Sequence, residues 1–528
     1  MSASKFGLYW RTLKYLKPVQ LTNRIRRQFV KPKPVARPTF APSPRTGVWT
    51  TPIVKPASLG AEDRFCFLNR TEMITGAEGW NHPDLPKLWL YNLHYHDGLC
   101  SGNTPAERKL RLVERWIAEN PFGYGNGWEP YPISLRIVNW VKWRLAGGVA
   151  PDGMDACVYQ QAHVLSLTLE YHLLGNHLFA NAKALIFAGL HFEGRRPLSW
   201  LEKGLALLMR ELTEQFLPDG AHFELSTTYH ATLTEDLLDL CNILQAYGHD
   251  IPEVLVSVAG RAMAWLDVMT RPDGLSPLFN DAAYGICPTF GELESYAERL
   301  CVVWRPTRQM SLTDLPDSGY FRYDGAAYNF WGDAGQIGPD YIPGHAHCDM
   351  FNFELFAHGR PVVVDTGTST YDVGARRTLE RSTASHNTVQ LGHHEQSEIW
   401  GAFRVGRRAR ITERHVAQGN VEAMHDGFKR LGVLHRRSFQ FGKDRILLED
   451  RLTGNSAGQA VARFHLHPDR EVSVAGDTVQ TGGVAFSFSG ASSIDISGYY
   501  YAPEFNKQIS AKCIEVHFSE RLRTDIQI

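Results

Sequence analysis

A helical half followed by an all-β half is the fold class this sequence predicts, and three observations carry it. From about residue 85 to residue 300, apolar residues recur at helical spacing. After about Thr313 the period changes to strand alternation broken by Gly-containing turns. Neither a visible internal repeat nor a long low-complexity block interrupts the 528 residues, so two or three packed domains are expected.

Taken in order, Phe6, Tyr9, Trp10, Leu13 and Leu16 predict an amphipathic helix that ends before Pro18. Residues 31–44 (KPKPVARPTFAPSP) hold too much proline for a helix interior or a central strand and predict an extended connector. Residues 1–60 are thereby set apart from a helical domain over 61–312 and a β domain over 313–528. Within the helical domain, Leu201, Leu205, Leu208, Leu212 and Phe216 form one stripe over 199–216. There Ser199 and Glu202 read as a capping box and Pro218-Asp219-Gly220 as the stop. Several such helices with short polar breaks predict paired helices in a layer or a toroid. In the β domain, 437–441 and 445–450 flank Gly442-Lys443-Asp444 as a hairpin. A second pair meets at Gly482-Gly483 within 479–488, which together predict an antiparallel sandwich.

Composition narrows the function classes. Lys and Arg number 55 against 56 Asp and Glu, a balance that suggests neither a nucleic-acid footprint nor an electrostatic membrane anchor. No stretch is long and apolar enough to span a bilayer. Residues 1–30 carry Lys and Arg throughout and lack the continuous apolar run of a secretory signal, so the cytoplasm is the expected location. The eight cysteines contain no CxxC pair, which argues against a zinc ribbon or a dense disulfide framework.

Chemistry concentrates in six segments. Gly344-His345-Ala346-His347 would put both imidazoles on one face if extended. Val362-Val363-Val364 reads as a buried strand delivering Asp365, and His386 follows in Ser385-His386-Asn387. Three imidazoles and a carboxylate can make a metal site with one histidine left for chemistry, or they are hydrogen-bonded histidines of a large β domain. Trp128 and Tyr131 lie in a polar aromatic loop that is either a sugar-stacking surface or a helix start with core aromatics. Gly175-Asn176-His177 opens an Ala/Leu-rich helix, where Asn and His are costly unless paired, or where Asn caps. Polar groups also crowd 219–230, which contains Glu224 and Tyr229.

Together these segments resemble the heparinase II/III family of polysaccharide lyases and its relatives, the oligo-alginate lyases. The resemblance runs from about Trp89 to the end of the β region. It is carried by NHLFANAKAL (176–185), DGAHFELSTTYH (219–230), GHAHCD (344–349), VVVDTG (362–367) and RSTASHNT (381–388). It implies an N-terminal (α/α) toroid with a C-terminal antiparallel β-sandwich, and β-elimination on a uronic-acid polysaccharide or oligosaccharide. In that reaction the C5 proton is removed, the glycosidic oxygen leaves C4, and the adjacent carboxylate must be neutralised or hydrogen-bonded. Asn176 and His177 match the carboxylate-engaging pair, and His345 serves there or as the base. Tyr229 matches the catalytic tyrosine, a general acid at its reference pKa of about 10, or a base where cations deprotonate it. Which role it takes depends on whether proton and leaving group share a face of the sugar. His347, Asp365 and His386 match metal ligands that organise the β side of the cleft, and zinc suits that N/O set. Tyr371 and Arg381 match cleft-lining positions. With Trp128, Tyr131 and Glu224 they form the expected substrate-contacting set, Glu224 as a supporting partner rather than a catalytic acid. The expected partner is an anionic glycan, glycosaminoglycan-like or alginate-like, and the N-terminus points to an oligosaccharide inside the cell or to exopolysaccharide turnover. Two rivals stand beside this reading: a metal-dependent hydrolase in which His347, Asp365 and His386 activate water, and a non-catalytic glycan-binding protein of exopolysaccharide metabolism.

Overall fold

Two helices open the chain, α1 over Ala3–Leu13 and α2 over Pro18–Phe29. The first stops before Pro18, as its spacing predicts. Pro18 then begins a second helix that the sequence reading did not anticipate, because proline lacks an N–H that the first helical turn never uses. The computed structural model describes residues 3–36, 40–454 and 459–528, so part of the predicted connector, 37–39, lies outside the described residues.

The helical half follows, with helices at Lys87–Tyr95, Ala106–Glu119, Pro130–Leu145, Met154–Leu167, Gly175–His191, Arg195–Gln215, Thr227–Ala246, Glu253–Met269 and Phe290–Arg299. Short connections between long helices force neighbours to pack side by side, and the pairs form an (α/α) toroid. Gly175–His191 is buried along nearly its whole length, which is why it reads as Ala/Leu-rich on every face. Its close approach to Arg195–Gln215 depends on two glycines. A Cβ at Gly204 would lie 2.8 Å from the Ile186 side chain, and one at Gly189 only 2.6 Å from the Leu201 backbone nitrogen.

That second helix corrects the predicted capping box. It starts at Arg195 behind Gly194, whose φ of +121° suits glycine alone. Ser199 therefore lies within the helix, its hydroxyl donating to the Arg196 carbonyl at 2.7 Å. The stripe itself is buried at Leu201, Leu208, Leu212 and Phe216.

The β half is antiparallel throughout. A five-stranded sheet runs in chain order from Ser311–Asp314 to Arg360–Val363. An eight-stranded sheet contains the hairpin Val433–Phe441/Arg445–Gly454 and the pair Thr478–Thr481/Val484–Ser489. A four-stranded sheet, centred on Ala460–His465 and Ile509–Phe518, completes the sandwich. The five-stranded sheet joins the halves through the period of two of its strands. Tyr320, Trp331 and Phe356 face the helical core, while their chain neighbours Phe321, Phe330 and Leu355 face the sandwich core with Phe439 and Phe464. Trp331 also donates its indole N–H to the Val268 carbonyl at 2.9 Å. Both faces of this sheet thus pack against apolar cores, and the helical side adds the buried Arg322 and Glu354, which bond to the Val268 carbonyl and to Arg271.

Candidate active site

Polar side chains from both halves converge beside that junction. From the helical half, Gly175 takes φ +53° to begin its helix, where a Cβ would collide with the Glu224 carboxylate. Leu174 occupies the N-cap, so Asn176 is not the cap that its residue type allowed. Its backbone N–H instead donates to Glu224 Oε1 at 3.1 Å, leaving the side-chain amide free of hydrogen bonds among the described residues. His177 packs its ring on Tyr131 at 4.4 Å and sets Nδ1 3.2 Å from Glu170 Oε1. Glu170 is itself held by the Asn181 amide at 3.1 Å. Burial disfavours charge on His177, but the Glu170 carboxylate more than offsets it, and the pKa is raised.

Tyr229 stands in the first turn of Thr227–Ala246, whose N-cap Ser226 accepts its backbone N–H. Its phenol is 3.3 Å from the Tyr371 hydroxyl, and its ring lies on His345 at 3.9 Å. Enclosure, then Tyr371 and Asp281, raise its pKa well above the usual phenol value. The Arg377 guanidinium, which lies over the Tyr371 ring at 4.9 Å, is already neutralised by Asp281. The phenol is therefore protonated and suited to donate.

From the β half, His345 and His347 come from a loop rather than the predicted strand. They still meet, because both reach Asp281. His345 Nδ1 lies 2.9 Å from Asp281 Oδ2 and His347 Nε2 lies 2.8 Å from Oδ1. Arg377 grips the same carboxylate through both terminal nitrogens, with Nη2 at 2.7 Å from Oδ2. Burial alone would raise the Asp281 pKa, but Arg377 and the two histidines hold it well below the carboxylate range. With Nδ1 committed to Asp281, His345 turns Nε2 to the cleft, 3.3 Å from Glu224 Oε2. That oxygen has no hydrogen-bond partner among the described residues, and burial raises the Glu224 pKa. Asp281 was missed in the sequence because its partners are 64 to 96 residues away.

Two expected substrate contacts are corrected. Arg381 is fully buried; Nε and Nη2 donate to the Ala346 carbonyl at 3.2 and 2.9 Å and Nη1 to Gly401 at 3.2 Å, so it holds the histidine loop from behind. Trp128 is in the helical core, stacked near Phe122 and Trp116, with its N–H on the Asn120 carbonyl. Tyr131 packs on His177, Tyr371 sets its hydroxyl 3.3 Å from that of Tyr229, and Glu224 Oε2 lies 3.3 Å from His345 Nε2, so these three stand beside the reactive groups.

The expected ligands His347, Asp365 and His386 are wholly buried. His347 Nδ1 and His386 Nε2 have no partners among the described residues, and the two rings are 5.3 Å apart, as suits a pair of donors. Asp365 does not complete the set: Oδ2 takes His386 Nδ1 at 2.7 Å and Asn352 at 2.5 Å, and Oδ1 takes the Gly367 N–H at 2.8 Å. Among the described residues, no group of three or more His, Cys, Asp or Glu side chains stands ready to hold a metal ion.

Comparison with known proteins bears on this arrangement. Residues 154–289 match the family model for the heparinase II/III N-terminus, and residues 307–528 match that for the heparinase II/III-like C-terminal region. A heparin-sulfate lyase of Bacteroides stercoris is 25% identical over 370 residues, 64% of this chain and 54% of that protein. FtsZ-localized protein C of Caulobacter vibrioides is 25% identical over 426 residues, 73% of this chain and 70% of that protein. The structure of a heparan sulfate lyase mutant from Pedobacter heparinus superposes with a TM-score of 0.60 at 18% identity, covering 88% of this chain and 81% of that one. The chain spans between about half and three-fifths of the length of the curated heparin-sulfate lyases it matches.

Proposed function

This chain belongs to the heparinase II/III-like family, and on that premise we propose that it is a polysaccharide lyase. It would cleave a uronic-acid-containing glycan, a glycosaminoglycan first among them, by β-elimination to leave an unsaturated uronate end. The single observation that carries the reading is the meeting of a protonated Tyr229 with an Asp281-oriented His345, ring on ring at 3.9 Å.

The steps follow from what each side chain offers. His177, whose pKa Glu170 raises, and the free amide of Asn176 receive the substrate carboxylate and stabilise the charge that spreads onto it as C5 loses its proton. His345 takes that proton at Nε2, since Asp281 fixes the opposite nitrogen and stabilises the imidazolium that results. Tyr229 donates its proton to the departing oxygen on C4. Tyr371 accepts from or donates to the Tyr229 hydroxyl and keeps it aimed. This assigns base and acid to different residues.

A divalent cation, zinc by the donor chemistry, belongs to the same proposal: His347 and His386 would hold it through their unpartnered nitrogens, with Asp365 orienting His386. When bound it would supply positive charge on the sandwich side of the cleft, and no step above depends on it.

The test is the ultraviolet absorbance of newly formed unsaturated uronate across a panel of uronic-acid polymers, with wild type and Tyr229→Phe. Signal from wild type that disappears in the variant supports elimination with Tyr229 as its proton donor. Reducing ends without that absorbance would turn the assignment to hydrolysis. A second reading, a non-catalytic member, draws on one observation: the Caulobacter protein, named for where it localises, is matched over more of its length than the lyases are. Glycan binding with neither product would favour it.

A further inference from the structure

The N-terminal helices are built inside out. In α2 the buried residues are Gln20 and Asn23, both polar. Its apolar residues Leu21, Ile25 and Phe29 fall at i, i+4 and i+8, one stripe, and are 44%, 61% and 78% exposed. α1 repeats the pattern, with Phe6, Trp10 and Leu13 at i, i+4 and i+7 and 67%, 63% and 43% exposed. A surface helix ordinarily turns such a stripe to the core.

Polar links fix both helices this way round. Arg11 makes a two-pronged ion pair with Glu398 at 2.7 and 2.6 Å, and the Trp400 indole donates to Thr12 Oγ1 at 3.0 Å. Lys17 pairs with Glu214 of the helical half, Gln20 donates to the Tyr341 carbonyl at 3.2 Å, and Arg27 meets His172. The pair therefore rests across both halves on its polar side and keeps its apolar side outward.

Charge identifies the occupant. Residues 1–61 contain twelve Lys and Arg and no Asp or Glu, while the remaining 467 residues contain 43 Lys and Arg against 56 Asp and Glu. The balance of the whole chain, which predicted no electrostatic anchor, conceals this segregation. Exposed Phe, Trp, Leu and Ile flanked by Lys14, Arg24, Arg26, Lys31 and Lys33 match a surface that sinks apolar side chains among lipid tails while cations meet phosphate headgroups. A second copy of the chain would bring the exposed cations Lys14, Arg24, Arg26, Lys31 and Lys33 against their own copies, and nucleic acid would leave the apolar stripes without a partner.

We propose that α1 and α2 dock this protein on an anionic lipid bilayer, lying in the interface rather than crossing it. No described helix is long and apolar enough to cross a membrane. The proposal is independent of the lyase reading.

Flotation of the full chain with phosphatidylglycerol-containing vesicles tests it, against phosphatidylcholine vesicles and at low and raised salt. The expected result is co-flotation with the anionic vesicles only, weakened by salt. Binding should fall at least tenfold in Ile25→Glu/Phe29→Glu and several-fold in Arg24→Gln/Arg26→Gln, with melting curves unchanged because these side chains are in solvent. Wild type that stays unbound with anionic vesicles, or variants that bind as wild type does, would overturn the proposal. So would light scattering that shows a lipid-free dimer which Ile25→Glu/Phe29→Glu converts to monomer, since the stripes would then cover one another.

Discussion

The two halves contribute to one cleft in opposite ways. The helical half presents groups left open to a ligand: among the described residues the buried Asn176 amide has no partner, and His177 keeps 28% of its side chain exposed. The sandwich half presents His345 and Tyr371, and behind them a fully buried frame of His347, Arg377, Arg381, Asp365 and His386. Reactive freedom and rigid support are thus divided between two folds. One carboxylate, Asp281 of the helical half, ties them together.

That division can be broken by substitution, and the largest effect should come from Tyr229→Phe. Removing the transferable proton is expected to lower kcat by about 10²–10⁴-fold, measured as unsaturated product, with the melting temperature nearly unchanged because the ring remains. Asp281→Asn should do the reverse, acting first on stability. It leaves Arg377 buried against a neutral amide, which costs about 3–5 kcal/mol in denaturant titration. An unchanged midpoint there would dissolve the contrast between frame and reactive groups. Trp128→Ala is expected to cost about 3–5 kcal/mol by opening the helical core, with KM unaltered in the folded fraction. A large rise in KM instead would restore Trp128 to the sugar-binding surface.

A smaller effect concerns the cation. If His347 and His386 hold zinc, adding it should raise the melting temperature of wild type and not of His347→Ala/His386→Ala. Identical curves would leave the frame as hydrogen bonds alone. The smallest effect is electrostatic. Because the folded His177 pKa lies above its unfolded value of about 6.5, the stabilisation from its pairing with Glu170 is complete below that pH. It is lost as pH rises through the folded value. Binding of an anionic substrate should weaken over the same rise. Glu170→Gln should move that loss to lower pH, read as a shifted alkaline limb of kcat/KM.

What the sequence disclosed follows the same line between local and distant. Hairpins were legible because their turns, Gly442-Lys443-Asp444 and Gly482-Gly483, are written next to the strands they join. The clusters at 176–177, 229 and 345 were legible because such residue types are unusual where they stand. Trp128 and Arg381 were misplaced because an aromatic or guanidinium suits core and cleft equally, and only packing decides. Asp281 was invisible as one acid among 56, its meaning held by partners far along the chain. Helix α2 is not legible in the sequence because Pro18 marks the end of one helix and the start of another equally well.

The shared carboxylate also determines how this protein should fail. It belongs to the helical half while its partners His345, His347 and Arg377 all belong to the sandwich half, so a slight parting of the halves would strand Asp281 and release His345 while every helix and strand remains intact. Activity should then disappear at a lower denaturant concentration than circular dichroism does. Amides in the 344–347 loop should exchange with deuterium before those of either core. An assay of turnover would therefore report on the seam between the domains long before it reported on unfolding.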